Sequence, residues 1–386
     1  MGVLATGLSY GPPVLRDAEV DASLVSELQS AIEDQRAIIN IVPGEGDVMG
    51  VWVYNGDVYA FRNKSGGATA GMYKSTSTGW DEIDLGTALN FDGTVENGEP
   101  IPGDTGTPTT IVGASSGAQG DLAGITYYQD WDFGAAGAMV LTNITGTFTD
   151  NENLQMPLLA FTSGSIEMTE GDTIVGASSG KTATVTSVVI TSGTIAAGDA
   201  AGYISVKNNS GTWTASEAIN INGVDHATVN GSSQPANVAV AVADGTQYAQ
   251  TINPGGTYEF TNYNFRGQTT GFTMYGVNTV DNGFSFDGTT FIKYKTGMAT
   301  DTPEHISAHQ SFLFFSYPNG SIQHSSQVTP NVWNAVTGAA ELAVGDDVSG
   351  FSTEVNNVMS VFTRNDAFML YGTSAADWEL RKFHAG

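Results

Sequence analysis

The sequence predicts an all-β fold, with a β-propeller-like body, an inserted tandem pair of small β-sandwich or barrel modules, and one short N-terminal helix. Three observations lead to this prediction. From about Val48 onward, apolar and polar residues alternate with period two, which is typical of half-buried strands. The chain contains 48 glycines, and its Asn-Gly and Asp-Gly pairs indicate tight hairpin turns. The octapeptide TIVGASSG occurs twice, at 110–117 and 173–180.

Residues 1–40 are predicted to form an arm followed by a helix. The arm contains Gly11, Pro12 and Pro13, and such a segment becomes ordered only against a partner surface. The helix begins near Asp21 or Ser23, since either side chain can cap the first turn. Its apolar face is expected to carry Leu24, Leu28 and Ile32.

Residues 41–99 are predicted to form the first propeller blade region. The stretch VMGVWVYNGDVYAFRN is typical of a hairpin that turns at Asn55-Gly56. A second turn, rich in Ser, Thr and Gly, separates Tyr73 from Trp80. Four short strands with tight connections match the size and pattern of one blade.

The inserted β modules are assigned to residues 100–165 (module A) and 166–240 (module B). Their similarity extends beyond TIVGASSG, because 133–154 aligns with 196–219. In this alignment Phe148 matches Trp213, and Glu152 matches Glu217. The pair therefore indicates a duplicated building block placed in a propeller loop, where insertions are tolerated.

Residues 241–386 are predicted to form the remaining blades. The same unit recurs there: a strand, a short polar turn, an aromatic-rich strand, another turn, and a closing Trp or Tyr. About four blade-like units result when the first blade region is included. The predicted turns are Asp281-Asn282-Gly283, Asp287-Gly288, Asn319-Gly320 and Arg364-Asn365-Asp366.

Charge and composition exclude several classes of protein. Forty acidic residues against 13 basic ones give a net charge of −27, so the chain has few residues from which to build a basic face for binding nucleic acid. The acidic excess favours solubility; an alternative interpretation is an acidic wall that repels DNA and lets it slide past. The absence of cysteine excludes disulfides and fits folding in a reducing cytoplasm. No segment approaches 18 apolar residues, so no membrane insertion is expected.

Two motifs resemble reactive sites but fail on spacing. In VGASSGK (175–181), Gly176 and Gly180 are one residue too close for a phosphate-binding loop, and a strand-like segment follows. We interpret it as a β-turn. In HISAH, His305 and His309 are four residues apart; a strand would place them on one side, roughly 13 Å apart, which is too far to share a metal ion.

Two further patterns are interpreted as turns. KSTSTGW (74–80) partly resembles the Asp box of sialidase propellers, but it lacks the aspartate, and six scattered arginines cannot supply that class of active site. The acidic sets Asp81/Glu82/Asp84, Asp281/Asp287 and Asp346/Asp347 lack the spacing of known calcium loops. We therefore predict no catalytic, cofactor-binding or metal-binding residue, and expect that the protein is not an enzyme.

The aromatic β units resemble tail proteins of tailed bacteriophages, most closely the β-propeller tail nozzle proteins of short-tailed phages. The likeness rests on VMGVWVYNGDVYAFRN and MYKSTSTGW in the first blade region, and it covers 40–100 and 255–386 most clearly. Later stretches that carry it are TYEFTNYNF, MYGVNTVDNGFSFDGTTF, TPEHISAHQSFLFFS, GAAELAVGDDVSGF and FTRNDAFMLYGTSAADWEL.

The resemblance implies a structural virion protein, made in the host cytoplasm and assembled into the phage tail. Such a protein forms a homo-oligomeric ring, a hexamer, below the portal and adaptor, and contacts neighbouring tail proteins such as the adaptor and tail fibres. DNA transits the lumen without specific binding. The alternatives are a receptor-binding tail fibre or adhesin, a capsid decoration protein and a propeller glycosidase.

Overall fold

The computed structural model describes residues 22–38, 40–92, 109–128, 136–265, 271–355 and 358–383. The fold is all-β, as predicted, with one α-helix in the described part of the chain. The helix, α1, spans Ala22–Ile38. It exposes Leu28 and Ile32 to solvent. Ser23 lies inside the helix and is not its cap, while the predicted arm and Asp21 fall outside the described residues.

The first sheet is antiparallel and four-stranded, and it contains two predicted features: four short consecutive strands and the Asn55-Gly56 turn. Its strands follow one another as a meander in the order β1-β2-β3-β4. At the first turn, Asn55 and Gly56 both have positive φ, 50° and 84°, as a two-residue hairpin turn requires. The strands are β1 Glu45–Tyr54, β2 Asp57–Asn63, β3 Ala70–Ser75 and β4 Trp80–Glu82.

The insertion that follows contains twelve strands in its described part. Its two ends lie side by side, because Tyr248 near the exit pairs with Ala88 near the entry. The strands are β5 Thr87–Phe91, β6 Thr110–Gly113, β7 Gln119–Tyr128, β8 Ala136–Thr145, β9 Asn153–Gly164, β10 Thr173–Gly176, β11 Thr182–Ser192, β12 Ala200–Lys207, β13 Ala218–Ile221, β14 Val224–Val229, β15 Ala236–Val242 and β16 Tyr248–Ala249.

The insertion forms two closed six-stranded barrels that share β9. Barrel A runs β5-β8-β7-β6-β9-β15 and closes through a bridge between Phe91 and Ala243. Barrel B runs β9-β12-β11-β10-β13-β14 and closes where β14 returns to β9. The first half of β9 belongs to barrel A, and Leu158–Gly164 pairs in barrel B.

The strand pairing differs from the predicted module boundaries. The predicted boundaries place β5 in the first blade region and most of β15 in module B, but both strands pair within barrel A. Closing a barrel requires strands from both ends of a unit, and a duplicated internal sequence does not reveal which flanking strands complete it. Phe148 and Trp213 lie buried at matching positions of the two barrel cores.

Three more four-stranded antiparallel sheets follow the insertion. Strand β24 joins none of them and pairs in parallel with β7 of barrel A. The second sheet has β17 Glu259–Tyr263, β18 Thr273–Val277, β19 Phe284–Phe286 and β20 Phe291–Lys293. The third has β21 His305–His309, β22 Phe312–Tyr317, β23 Ser321–His324 and, after β24 Val332–Trp333, β25 Ala340–Ala343. The fourth has β26 Val348–Val355, β27 Val358–Thr363, β28 Ala367–Tyr371 and β29 Glu379–Lys382.

An aromatic core joins each of the four sheets to the next. Between the first and second sheets, the Phe61 ring lies 4.7 Å from that of Tyr258 and 5.3 Å from that of Phe260. In the core between the second and third sheets, the rings of Tyr294 and Phe315 lie 6.3 Å apart. Trp378 packs 5.4 Å from Phe312 in the last core. The first strands also lie beside one another in order, β1, β17, β21 and β26. This row of sheets is compatible with the predicted propeller-like body.

No helix among the described residues combines the length and apolar character needed to cross a bilayer.

Replacing Phe61 with alanine should strongly destabilise the row of sheets. Phe61 is fully buried and packs against three rings on the second-sheet side, those of Tyr258, Phe260 and Phe284. We therefore expect the free energy of unfolding to fall by about 3–5 kcal/mol. Urea denaturation measures the change. Phe383→Ala is the matched control, since Phe383 is 57% exposed, and its cost should stay below about 1 kcal/mol. Equal losses in the two variants would contradict this assignment of the core.

Candidate functional site

The first strands of all four sheets line one cavity of about 510 Å³, which we call the inner groove. Strands from all four sheets converge on this groove, and ligand sites are typically found at such concave places. Glu259 is the single charged residue among the described residues that line it. Residues that define the groove are Gly50, Trp52, Glu259, Thr261, Ser307 and Gly350.

Trp52 fixes the first sheet to the second at the groove wall. Its ring stacks on Phe260, with centroids 5.5 Å apart and planes 22° from parallel. Its Nε1 donates to Oδ1 of Asn262 at 2.8 Å, and Nδ2 of Asn262 donates to the Val53 carbonyl at 2.9 Å. A close backbone approach supports this contact, because a Cβ at Gly50 would lie 2.6 Å from Cβ of Tyr258.

His305 connects three first strands at the same groove. Its Nδ1 lies 2.7 Å from Oε1 of Glu259 on β17, and the backbone of Val348 on β26 bonds the ring as well. Burial by itself would lower the pKa of His305, but Glu259, the nearby Glu304 and Val348 outweigh it and raise the pKa above 6.5. The His305 ring therefore links β21 to β17 and β26. At this position of the groove, His305 and Glu259 are bonded to each other.

The duplicated TIVGASSG turn encloses a carboxylate from its own barrel. In the first copy, one oxygen of Glu152 accepts bonds from the Ser115 amide at 3.1 Å and the Ser116 amide at 2.9 Å. The hydroxyls of both serines donate at 3.0 and 2.8 Å, and the Thr149 amide donates at 2.6 Å. Five donors therefore converge on one buried side chain.

The second copy repeats this arrangement with Glu217. The amides of Ser178 and Ser179 donate at 3.0 and 2.7 Å, and their hydroxyls at 3.1 and 2.8 Å. The Thr214 amide donates at 2.6 Å. In each copy the strand glycine before the turn has no room for a side chain, since a Cβ at Gly176 would lie 2.4 Å from Oγ of Ser179.

These contacts explain why the octapeptide is repeated. Burial would raise the pKa of both glutamates, but the hydrogen bonds from the serine and threonine groups lower each pKa to about 2. The turn is thus an anion seat, a feature that the sequence did not predict, and the anion is a glutamate of the same chain. A strand, β11, follows the second copy, in agreement with the interpretation as a turn.

The other sequence motifs lie in separate parts of the structure. His305 and His309 occupy the two ends of strand β21, as the alternation predicted. Asp281 is buried, where it pairs with Lys293 and accepts from the Asn278 and Asn253 side chains. Asp346 and Asp347 hold turns of the third and fourth sheets. In the part of the chain that the structure describes, no three His, Asp or Glu side chains are grouped to hold a metal ion.

Sequence reasoning identified both turns and aligned Glu152 with Glu217, but it did not assign the glutamates a role. The signal was present, since each glutamate follows its serine pair at nearly the same interval, 36 residues from Ser116 and 38 from Ser179. The groove contacts of Trp52 and His305 were not foreseen, because they join strands far apart in the sequence.

Comparisons with known proteins do not place the chain in a family. No protein-family model matches it. No curated protein matches it either. Among solved structures, the chain is similar to the computationally designed Ika8 protein, with 6% sequence identity, over 85% of this chain and 96% of that chain. The TM-score of that match is 0.22, so it carries no argument.

Replacing Glu152 or Glu217 with glutamine should destabilise the barrels. Glutamine keeps the shape but turns one acceptor oxygen into a donor that faces amide and hydroxyl donors. We expect the free energy of unfolding to fall by about 2–3 kcal/mol for each variant. Glu170→Gln is the control, because Glu170 is exposed in barrel B, which also contains Glu217, and should change stability by less than about 0.5 kcal/mol.

The lowered pKa values of Glu152 and Glu217 predict that the stability of the folded protein depends on pH. Each glutamate has a folded pKa of about 2 against an ordinary value of 4.5. A lowered carboxyl pKa stabilises the folded state above the unfolded pKa, and this contribution is lost as the pH falls toward 2. The stability difference between the unmodified protein and Glu217→Gln should therefore shrink between about pH 5 and pH 2. Denaturation across that range measures it, and a constant difference would refute the anion-seat interpretation.

The His305 contacts predict the opposite pH trend. Because the folded pKa is raised, the stabilising contribution is complete below the unfolded value of about 6.5 and is lost as the pH rises through the folded pKa. His305→Gln should therefore lower stability most in mildly acidic buffer and progressively less in alkaline buffer. NMR titration of the His305 ring measures the pKa directly, and a value below 6.5 would contradict the pairing with Glu259.

Proposed function

We propose that this chain is a structural protein of a phage tail, a subunit of a nozzle ring that surrounds the DNA ejection channel. One structural observation carries the proposal. The row of four sheets ends in two faces that expose apolar side chains in the described part of the chain, although Val42 and Trp80 cover part of the first one. A neighbouring copy can cover them, as happens at each internal sheet boundary.

The first end face belongs to the first sheet. Trp52 and Tyr54 of β1 point into the aromatic core, so the alternating Val51 and Val53 point the other way. These two valines are 55% and 56% exposed. Adjacent β-branched side chains on a sheet face are typical of a surface that packs against another protein layer.

The second end face belongs to the fourth sheet. Val361 of β27 packs against the third sheet, and its neighbour Phe362 points outward with 43% of its surface exposed. Tyr371 lies on this face too, with the Arg381 guanidinium 5.2 Å from its ring centroid. A face at each end allows head-to-tail contacts, which close into rings when the rotation per copy permits.

Charge and the family resemblance support the same proposal. A net charge of −27 repels the DNA backbone, so DNA can pass a channel built from such subunits without sticking. The inner groove adds no lysine or arginine within the described residues. The resemblance of the aromatic β units to nozzle proteins implies a ring of identical subunits. It also implies that the adaptor and the tail fibres are the neighbouring partners.

Native mass spectrometry and negative-stain electron microscopy of the purified chain test the proposal. We expect rings of about six copies, and antibody labelling of virions at the tail below the portal. Val53→Asp and Phe362→Asp should shift the rings to monomers, because each buries a charge in the contact. Ile190→Asp, at an exposed position of barrel B, is the matched control and should leave the rings intact.

Three results would reject this function. A protein that stays monomeric at high concentration does not form the ring. Antibody labelling of the capsid shell supports a decoration protein, and labelling of fibre tips supports an adhesin.

A further inference from the structure

A second cavity, of about 440 Å³, lies between the second sheet and barrel A. We call it the barrel-side cavity. Strand β7 contributes Gly124 and Ile125 to one wall, and the second sheet contributes Ser285 and Ile292 to the other. Its size is typical of sites for small molecules, and none of the motifs discussed above accounts for it.

Phe272 is the exposed ring of this cavity, with 57% of its surface accessible. Its backbone is fixed, since the Tyr54 hydroxyl donates to the Phe272 carbonyl at 2.8 Å. The other described rings that line the cavity, Phe265, Tyr275 and Tyr294 as well as Tyr54, are buried in the adjoining cores. A cage for an organic cation needs several open ring faces, whereas one open face suits the C–H face of a sugar ring.

Asp287 supplies an oriented hydrogen-bond acceptor in the same cavity. Its Oδ1 accepts from the Thr289 amide and hydroxyl, both at 2.8 Å, and from the Thr290 amide at 2.7 Å. These bonds fix the carboxylate plane. Within the described chain its Oδ2 accepts no hydrogen bond, so this oxygen is available to a ligand hydroxyl.

Asn331 supplies a second polar group from the opposite side. Its Nδ2 donates to the Ile125 carbonyl at 3.0 Å, and its own carbonyl accepts from Oγ1 of Thr126 at 3.2 Å. Asn331 is thereby fixed to barrel A. Its Oδ1 receives no bond from the residues that the structure describes, and it too can accept from a hydroxyl.

The charge of the lining selects the class of ligand. No lysine, arginine or histidine belongs to the described lining, and the whole chain is strongly acidic. A phosphate, sulfate or carboxylate ligand would therefore meet repulsion without a compensating cation. The lining instead combines hydroxyls, amides, one carboxylate and one open ring face.

We propose that the barrel-side cavity binds one neutral sugar unit, which stacks on Phe272 and donates hydroxyl protons to Asp287 and Asn331. This adds a binding activity to the proposed structural role. It does not depend on ring assembly, because every residue named belongs to one chain.

Saturation-transfer NMR with the methyl glycosides of glucose, galactose and mannose tests the proposal. Choline and N-acetylneuraminic acid serve as cationic and anionic probes. We expect transfer to at least one neutral glycoside, with a Kd near or above about 1 mM, and none to the charged probes. Failure of all three neutral glycosides, or binding of a charged probe alone, overturns the proposal.

Variants locate the binding to this cavity. Phe272→Ala should weaken the neutral glycoside by about fivefold to tenfold, and Phe272→Tyr should retain it. Phe383→Ala removes an equally exposed phenylalanine elsewhere and should change nothing. Asn331→Ala gives a second, independent loss. Because Phe272 is exposed, its replacement should leave thermal unfolding unchanged; unaltered affinity in both Phe272→Ala and Asn331→Ala rejects the assigned site.

Discussion

A sheet of four strands has two faces, and this chain depends on covering both. Each internal sheet buries aromatic side chains against the sheet before it and the sheet after it. The burial of one such ring stabilises the fold by several kcal/mol, while the strands themselves are too short to be stable alone. The order of the sheets in space therefore follows their order in the chain. In the proposed ring, the two end faces would be covered by neighbouring copies in the same way.

The two barrels of the insertion are subject to a different constraint, because each of them buries a charged glutamate. A buried carboxylate is costly unless donors surround it, and the TIVGASSG turn supplies them in both copies. Glu152 and Glu217 thereby act as internal cross-links between a turn and a distant loop. In each copy, the serines of the repeated octapeptide thus donate the hydrogen bonds, and a single distant glutamate accepts them.

The sequence predicted the features that are local. Alternation and Asn-Gly turns identified the four meanders, and Asn55-Gly56 has the predicted geometry. The octapeptide identified the duplicated unit. Contacts across long intervals could not be predicted, such as that of Trp52 with Asn262, because nothing in either segment specifies the other. The strands that close barrel A were missed for the same reason, since β5 and β15 carry no repeat signature. The barrel-side cavity, too, exists only where two separately encoded units meet.

The shared strand β9 has a consequence for the history and mechanics of the duplicated unit. Two copies linked by a flexible tether could be lost, exchanged or unfolded one at a time. Here Leu158 pairs with strands of both barrels, so neither copy has a complete set of strands without its neighbour. The pair is a single cooperative body with an internal repeat. A mechanical force applied to one barrel is therefore transmitted directly to the other through β9. Recombination that removes one copy leaves the other as an open sheet with exposed edges.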